Sequence, residues 1–225
     1  MIGTQVAGAT ALVTGGQQGL GKAIVAALLE AGAAKVYSTS RRPGTSDDPR
    51  VVVIQADVTD AESVTQLAHT AADATIVVNN AGVLGGTSLL QDDLDDVRSV
   101  LDTNLYGALR VTRAFAPLLA GRHGTIVNIA SVLSWLPGYG SYGVSKAALW
   151  SATNSLRLEL QEQGTTVIGA YLAYTDTDMT ADLDVPKNDP ADVARQIVEG
   201  IVAGAPEVLA DDLTRQVHAP LFPAA

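Results

Sequence analysis

Short apolar runs alternate along the chain with stretches whose apolar residues recur every three to four positions. "ATALVTGG" predicts a buried strand. "GLGKAIVAALLEAGA" predicts a helix stopped by Gly32, and "KVYSTS" a second strand before the turn-rich "RRPGTSDDP". "VVVIQAD" is a third strand, "DAESVTQLAHTAAD" a capped helix, and "ATIVVNNAG" a strand that breaks into a loop. Helical spacing then runs without a break through "DDLDDVRSVLDTNLYGALRVTRAFAPLLAG", followed by a strand at "GTIVNIAS" and a helix from Ser141 to Gln163. "TTVIGAYLA" is a strand, Pro190 to Ala203 a helix, and "EVLA" a last short strand. Strands that are apolar throughout and alternate with helices imply a parallel sheet covered on both faces. No linker, repeat or low-complexity segment interrupts the alternation. Residues 1–225 therefore read as one α/β domain with a doubly wound parallel sheet.

Composition narrows the function. Hydrophobic residues make up 47% of the chain, yet no apolar stretch approaches the roughly 20 residues of a membrane-spanning helix. The beginning of the chain, "MIGTQVAGATALVTGG", has no basic leader and runs directly into a glycine motif, so a cytoplasmic protein is expected. Cysteine is absent, which excludes disulfides and thiolate nucleophiles. His69, His123 and His218 lack ligand-like spacing, and no metal site is expected. A formal charge of −10 disfavours a nucleic-acid partner.

Between the first strand and the first helix stands Thr14-Gly15-Gly16-Gln17-Gln18-Gly19-Leu20-Gly21. In a Rossmann-type sheet this is where a dinucleotide pyrophosphate rests on backbone N–H groups at the positive end of a helix. Gly15 permits the tight turn, Gly19 the approach to phosphate, and Gly21 close helix packing. The spacing is Gly-x-x-x-Gly-x-Gly, which departs from the commoner Gly-x-Gly-x-x-Gly. At the end of the second strand an acidic residue would bind a ribose 2′-hydroxyl, whereas arginine accommodates a 2′-phosphate. Ser40 takes that place here, followed by Arg41 and Arg42. NADP(H) is expected over NAD(H), with NAD(H) left open.

Tyr142 and Lys146 lie four residues apart in a chain with six tyrosines and four lysines. Chance predicts only about 0.1 pairs at this spacing. On a helix, positions i and i+4 share a face, so the ammonium is expected to lower the phenol pKa toward a working range. Such a phenol gives a proton to a carbonyl oxygen or takes one from an alcohol.

These motifs together make the chain resemble a classical short-chain dehydrogenase/reductase. The resemblance runs over nearly the whole sequence. It rests on the glycine turn, Asp57 after the third strand, "NNAG" at Asn79 to Gly82, Asn104 in the long helix, Ser131 after the fifth strand, and Tyr142-x-x-x-Lys146. It implies that Tyr142 is the acid/base, that Ser131 hydrogen-bonds the substrate oxygen, and that Lys146 holds the nicotinamide ribose. Asn104 would anchor a water joining Lys146 to solvent. By the same resemblance Gly15, Gln17, Gly19, Leu20 and Gly21 hold the cofactor phosphates. Asp57 and Val58 meet the adenine, and Asn80, Ala81 and Gly82 line the adenosine ribose. Thr175 and Thr177 face the nicotinamide amide. Asp57 could equally cap the next helix, and Asn79 and Asn80 could be turn formers.

The match departs from the family at Leu172 and Ala173, which stand where a Pro-Gly pair is usual; a positive φ at residue 173 would strain alanine. Trp135, Pro137 and Tyr139 are candidates to wall the substrate pocket. The short "TADLDVPKND" between Met179 and the helix at Pro190 implies an open site. The expected function is an NADP(H)-dependent oxidoreductase interconverting a ketone or aldehyde and an alcohol, with a small-molecule substrate. A sugar-nucleotide epimerase would need a substrate domain for which no sequence remains. The alternative from another class is a non-catalytic NADP(H)-binding sensor or scaffold, supported only by Leu172-Ala173. The resemblance also implies a homodimer or homotetramer through the helices of Asn104 and Tyr142, with "HAPLFPAA" as a subunit contact or a loose end.

Overall fold

A computed structural model describes residues 3–221. The last four residues of "HAPLFPAA" lie outside that range, and with them part of the proposed C-terminal contact. Seven strands form one sheet: β1 (Thr10–Val13), β2 (Lys35–Ser40), β3 (Val51–Gln55), β4 (Ile76–Asn79), β5 (Thr125–Ile129), β6 (Thr166–Tyr171) and β7 (Glu207–Leu209). Their order is β3-β2-β1-β4-β5-β6-β7, and every pairing is parallel. This is the doubly wound α/β architecture the sequence implies. The order reverses between β1 and β4, which opens a crevice at the carboxyl ends of the strands.

Strand pleat sorts the core into two layers. Ala11 and Val13 of β1 point to the face covered by α1 (Gly19–Glu30) and α6 (Pro190–Ala203), where they meet Ile24, Leu28, Ile197 and Ile201. Leu12, between them, points to the other face, against Leu67 of α2 (Ala61–Thr70) and Phe115 of α4 (Ala108–Leu119). β5 and β6 are buried along their whole length. β3, at the sheet edge, is not, and Val52 is 38% exposed. The expectation that all strands are covered on both faces fails there, because no strand follows β3 in the sheet order and the β3 side chains are only partly covered.

Helix ends follow local chemistry. Asp60 caps α2 by accepting from Glu62 N at 2.8 Å, and Asp189 caps α6 by accepting from Ala191 N at 2.8 Å. Three elements differ from the sequence pattern. The long helical span divides into α3 (Leu94–Leu101), a π-helical segment at Asp102–Gly107, and α4. α5 runs from Gly140 to Glu159, four residues short of Gln163. Gln163 has left the helix to donate to Ala116 O at 2.9 Å and to Thr165 Oγ1 at 2.7 Å. A further helix, α7 (Asp212–His218), follows β7; its seven residues are too short for a clear helical period.

Candidate active site

The crevice is a cleft of ≈ 1190 Å³. The catalytic and cofactor-binding candidates named from the sequence all line it except Asn104, which is buried.

At one end, the turn after β1 is main chain drawn tight. Gly19 has φ 49°, in the left-handed region. A Cβ on Gly21 would lie 2.2 Å from Gly15 O, so only glycine lets α1 start this close to the strand. Thr14 Oγ1 accepts from Asn80 N at 3.0 Å and Ala81 N at 3.1 Å. The Asn80 amide donates to Thr14 O at 2.9 Å and Gly15 O at 3.2 Å, which fastens the loop after β4 to the glycine turn. Asn80 is therefore a brace of the turn as well as a lining residue. Asn79 is no turn former. It closes β4, is 4% exposed, and donates to Asn128 Oδ1 at 2.8 Å and Thr112 Oγ1 at 3.1 Å.

Gln17 reaches across to Ser38 Oγ at 2.8 Å, and the exposed Arg41 and Arg42 edge the cleft just past β2. Asp57 Oδ1 accepts from Thr59 N at 2.9 Å and Thr59 Oγ1 at 2.7 Å; these bonds, with Arg41 and Arg110 nearby, hold its carboxyl below the usual range despite partial burial. The cap of α2 is Asp60, so Asp57 is left facing the cleft.

At the other end, Ser131 follows β5 and caps a 3₁₀ turn at Val132–Ser134, its Oγ accepting from Leu133 N at 3.2 Å. The same hydroxyl donates to Leu172 O at 3.3 Å, and Ser131 and Tyr142 both line the cleft. Tyr142 and Lys146 lie one turn apart on α5, with the ammonium 5.5 Å from the phenol ring centroid. Lys146 is 5% exposed and donates to Ile129 O at 2.7 Å. The expectation that Lys146 depresses the tyrosine is corrected here. Burial pushes the Tyr142 phenol up to about 12 against the smaller opposing pull of Ser131. Burial also brings Lys146 down to about 8, and its ammonium is turned to a main-chain carbonyl.

Asn104 lies in the π segment, 2% exposed. Its Oδ1 accepts from Val83 N at 2.8 Å, while Nδ2 donates to Val83 O at 3.0 Å and Ser145 Oγ at 3.0 Å. Ser145 Oγ in turn donates to Tyr142 O at 2.7 Å. The Asn104 side-chain amide is thus committed to protein. Asn104 clamps the loop after β4 onto the helix of Tyr142.

Ala173 lies outside the positive-φ region, so replacing the usual glycine introduces no strain. Its N–H donates to Asp211 Oδ2 at 2.7 Å. Asp211, 7% exposed, also accepts from Asn188 Nδ2 at 3.1 Å and from Thr214 N at 2.8 Å, where it caps α7. Sequence reasoning missed Asp211 and Ser145. The only cue for Asp211 was the capping pattern Asp211-Asp212-Leu213-Thr214. Trp135 leaves the pocket wall to pack on Tyr171, centroids 4.5 Å apart, and on His218 at 5.0 Å; Pro137 and Tyr139 remain in the cleft. The short segment before α6 is tied back to the chain at its ends. Thr175 bridges to Asn188, Thr177 and Thr180 form a capping box, and Thr177 approaches Gly19. Thr175 and Thr177 both line the cleft.

A family model described as short chain dehydrogenase matches residues 9–188. The chain belongs to that family. Among its relatives, a 3-oxoacyl-(acyl-carrier-protein) reductase of Synechocystis is 34% identical over 198 residues, 80% of this chain and 80% of its own. A 1-deoxy-11-beta-hydroxypentalenate dehydrogenase of Streptomyces avermitilis is 36% identical over 197 residues, 80% of this chain and 73% of its own. A solved short chain dehydrogenase of Burkholderia cenocepacia, in complex with NADP, superimposes with a TM-score of 0.92 at 33% identity, covering 97% of this chain and 94% of that one. As a short chain dehydrogenase the chain is an oxidoreductase.

Proposed function

We propose that this short chain dehydrogenase is an NADP(H)-dependent oxidoreductase that interconverts a ketone or aldehyde with an alcohol. The observation that carries the reading is that Tyr142, Ser131 and Lys146 line one end of a cleft whose other end is a glycine turn on a helix N-terminus. The glycine turn fits a pyrophosphate, because Cβ atoms at Gly15 and Gly21 would fill the space against Ala81 and Gly15 O. Gly15, Gln17, Gly19, Leu20 and Gly21 would hold it. Arg41 and Arg42, with the uncharged Ser40 before them, fit a 2′-phosphate better than a bare ribose hydroxyl. The B. cenocepacia relative in complex with NADP supports the same choice. A bound nicotinamide would supply or accept the hydride.

The chain's own part is proton handling and orientation. With its pKa raised, the Tyr142 hydroxyl is protonated throughout the neutral range and donates to a carbonyl oxygen that Ser131 also binds. Lys146, fixed by Ile129 O beside the phenol, would hold the nicotinamide ribose. Asn104 is a positioning residue acting through Ser145. The sensor reading loses its support, since Ala173 is unstrained and its N–H is satisfied by Asp211. Tyr106 and Val144, exposed at 51% and 41% on the π segment and α5, support a homo-oligomer through those helices. Among the described residues no helix is long and apolar enough to cross a membrane, and a cytoplasmic location remains part of the proposal.

The test follows nicotinamide absorbance with NADPH and NADH in parallel over a panel of ketones, aldehydes and ketoesters, with Tyr142→Phe as control. Tyrosine-dependent NADPH oxidation is expected. Equal turnover by Tyr142→Phe would remove the mechanism, and NADPH binding without turnover in either direction would return the sensor.

A further inference from the structure

The two ends of the cleft differ in charge as well as construction. Leu84, Leu136, Tyr139, Met179 and Leu213 are large apolar side chains, 36% to 47% exposed, contributed by separate stretches of chain, and all line this cleft. Single exposed apolar residues are ordinary, whereas a set converging on one cavity marks a binding surface. Among the described residues, the cations lining the cleft are Arg41, Arg42 and Lys146. The two arginines follow β2, which β1 and β4 separate from β5. Lys146 commits its ammonium to Ile129 O. The segment between β6 and α6 contributes Asp178 and Asp182 instead, so a negatively charged substrate meets carboxylates and no free cation at this end.

The apolar end also has a fixed shape. Tyr139, at the start of α5, has φ 56° and lies between Gly138 at φ 123° and Gly140 at φ 49°. A bulky residue persists in the left-handed region only when its surroundings determine it. The residue after Tyr139 is closely packed, since a Cβ on Gly140 would lie 2.4 Å from Gly86 O. The result sets the Tyr139 ring edge-on to Tyr174, centroids 6.1 Å apart at 66°, with both residues lining the cleft three residues before Tyr142 and two after Leu172. Aromatic rings held in this way present a face and an edge to a third flat group.

We infer that the substrate is an uncharged carbonyl compound bearing a flat apolar group that seats against Tyr139 and Tyr174, and that carbonyls carrying a carboxylate or phosphate are rejected. The inference rests on the carbonyl–alcohol reading above. Its test compares ethyl benzoylformate, benzoylformate and ethyl pyruvate at saturating NADPH. The neutral aromatic ester is expected to exceed the free acid in kcat/KM by about tenfold or more. Tyr139→Leu and Tyr174→Leu are each expected to reduce the preference for ethyl benzoylformate over ethyl pyruvate by about three- to tenfold. An acid turned over as well as its ester, or an aromatic preference unchanged in both variants, would overturn the inference. Calorimetric binding of ethyl mandelate and mandelate to the protein with NADP⁺ reads the same preference without turnover. Tighter ester binding with no turnover of any carbonyl counts against the reductase reading alone, while equal binding, or none of either, overturns the inference.

Discussion

At the β1 end of the cleft the walls are main chain, and at the β5–β6 end they are buried side chains. Around Gly15, Gly19 and Gly21 the geometry depends on what is missing: a Cβ on Gly21 would lie 2.2 Å from Gly15 O, and Gly15 and Gly19 hold positive φ. Around Tyr142 it depends on what is present: Ser131, Lys146, Asn104 and Asp211, each nearly buried and each hydrogen-bonded to chain remote in sequence. A ligand's invariant phosphates suit a fixed backbone cradle. Proton transfer and substrate choice need groups that differ from one enzyme to another, and side chains supply them.

The largest effect should come from the side-chain end. Tyr142→Phe removes the proton donor and is expected to lower kcat by about 10²- to 10⁴-fold while NADPH affinity, read by fluorescence titration, stays close to wild type. Parallel losses of affinity and rate would mean that the two ends are not separable. At the main-chain end, Gly21→Ala forces a Cβ into Gly15 O and is expected to cost about 1–3 kcal/mol of stability, with NADPH affinity falling more than kcat. Lys146 gives a pH signature. Its folded pKa of about 8 lies below the usual 10.5, so the unfolded chain binds more protons between these values and stability rises with pH across that window. Compared with Lys146→Met, the wild type is expected to gain about 1–3 kcal/mol between pH 8 and pH 10 in thermal melts, and parallel curves would refute it. The window stops at pH 10 because Tyr142, raised to about 12, withdraws stability above its unfolded value.

Asp211→Ala strips the acceptor from Ala173 N and Thr214 N and is expected to cost about 2 kcal/mol and to raise the KM for NADPH, whereas a loss of stability alone would confine Asp211 to capping α7. The smallest effect belongs to Ala173→Gly. With no positive φ to relieve, glycine adds only chain entropy, and a loss of about 0.5–1 kcal/mol with unchanged NADPH affinity is expected. A gain in stability would show that alanine is strained after all.

The same contrast explains what could be read from the sequence. A backbone cradle demands glycine, and the demand is written locally, so the turn at Gly15 to Gly21 and its place between β1 and α1 were legible. The strands were legible because their apolar runs are unbroken, and α6 was delimited by Pro190 and Gly204. Tyr142 and Lys146 were visible as a spacing, but their electrostatics were not. Burial, which outweighs the pairing, is set by elements far along the chain. Asp211 and Ser145 were missed because their partners are 38 and 41 residues away. Trp135 was misplaced because an aromatic in a loop carries no sign of which way the loop turns, and the packing of Tyr171 and His218 decided it.

The π segment between α3 and α4 has a consequence for register. Each residue of an α-helix turns the chain by about 100°, and a π turn accommodates one extra residue without shifting the axis. Everything before Asp102 is therefore out of phase with everything after Gly107 by about that angle. This offset lets Asn104 look toward Val83 and Ser145 while Val111, Phe115 and Leu119, further along the same rod, still look into the sheet. A straight helix of the same length could satisfy one of these demands only. The rod works as two helices on a common axle, with the site's clamp set by one and the core's packing by the other.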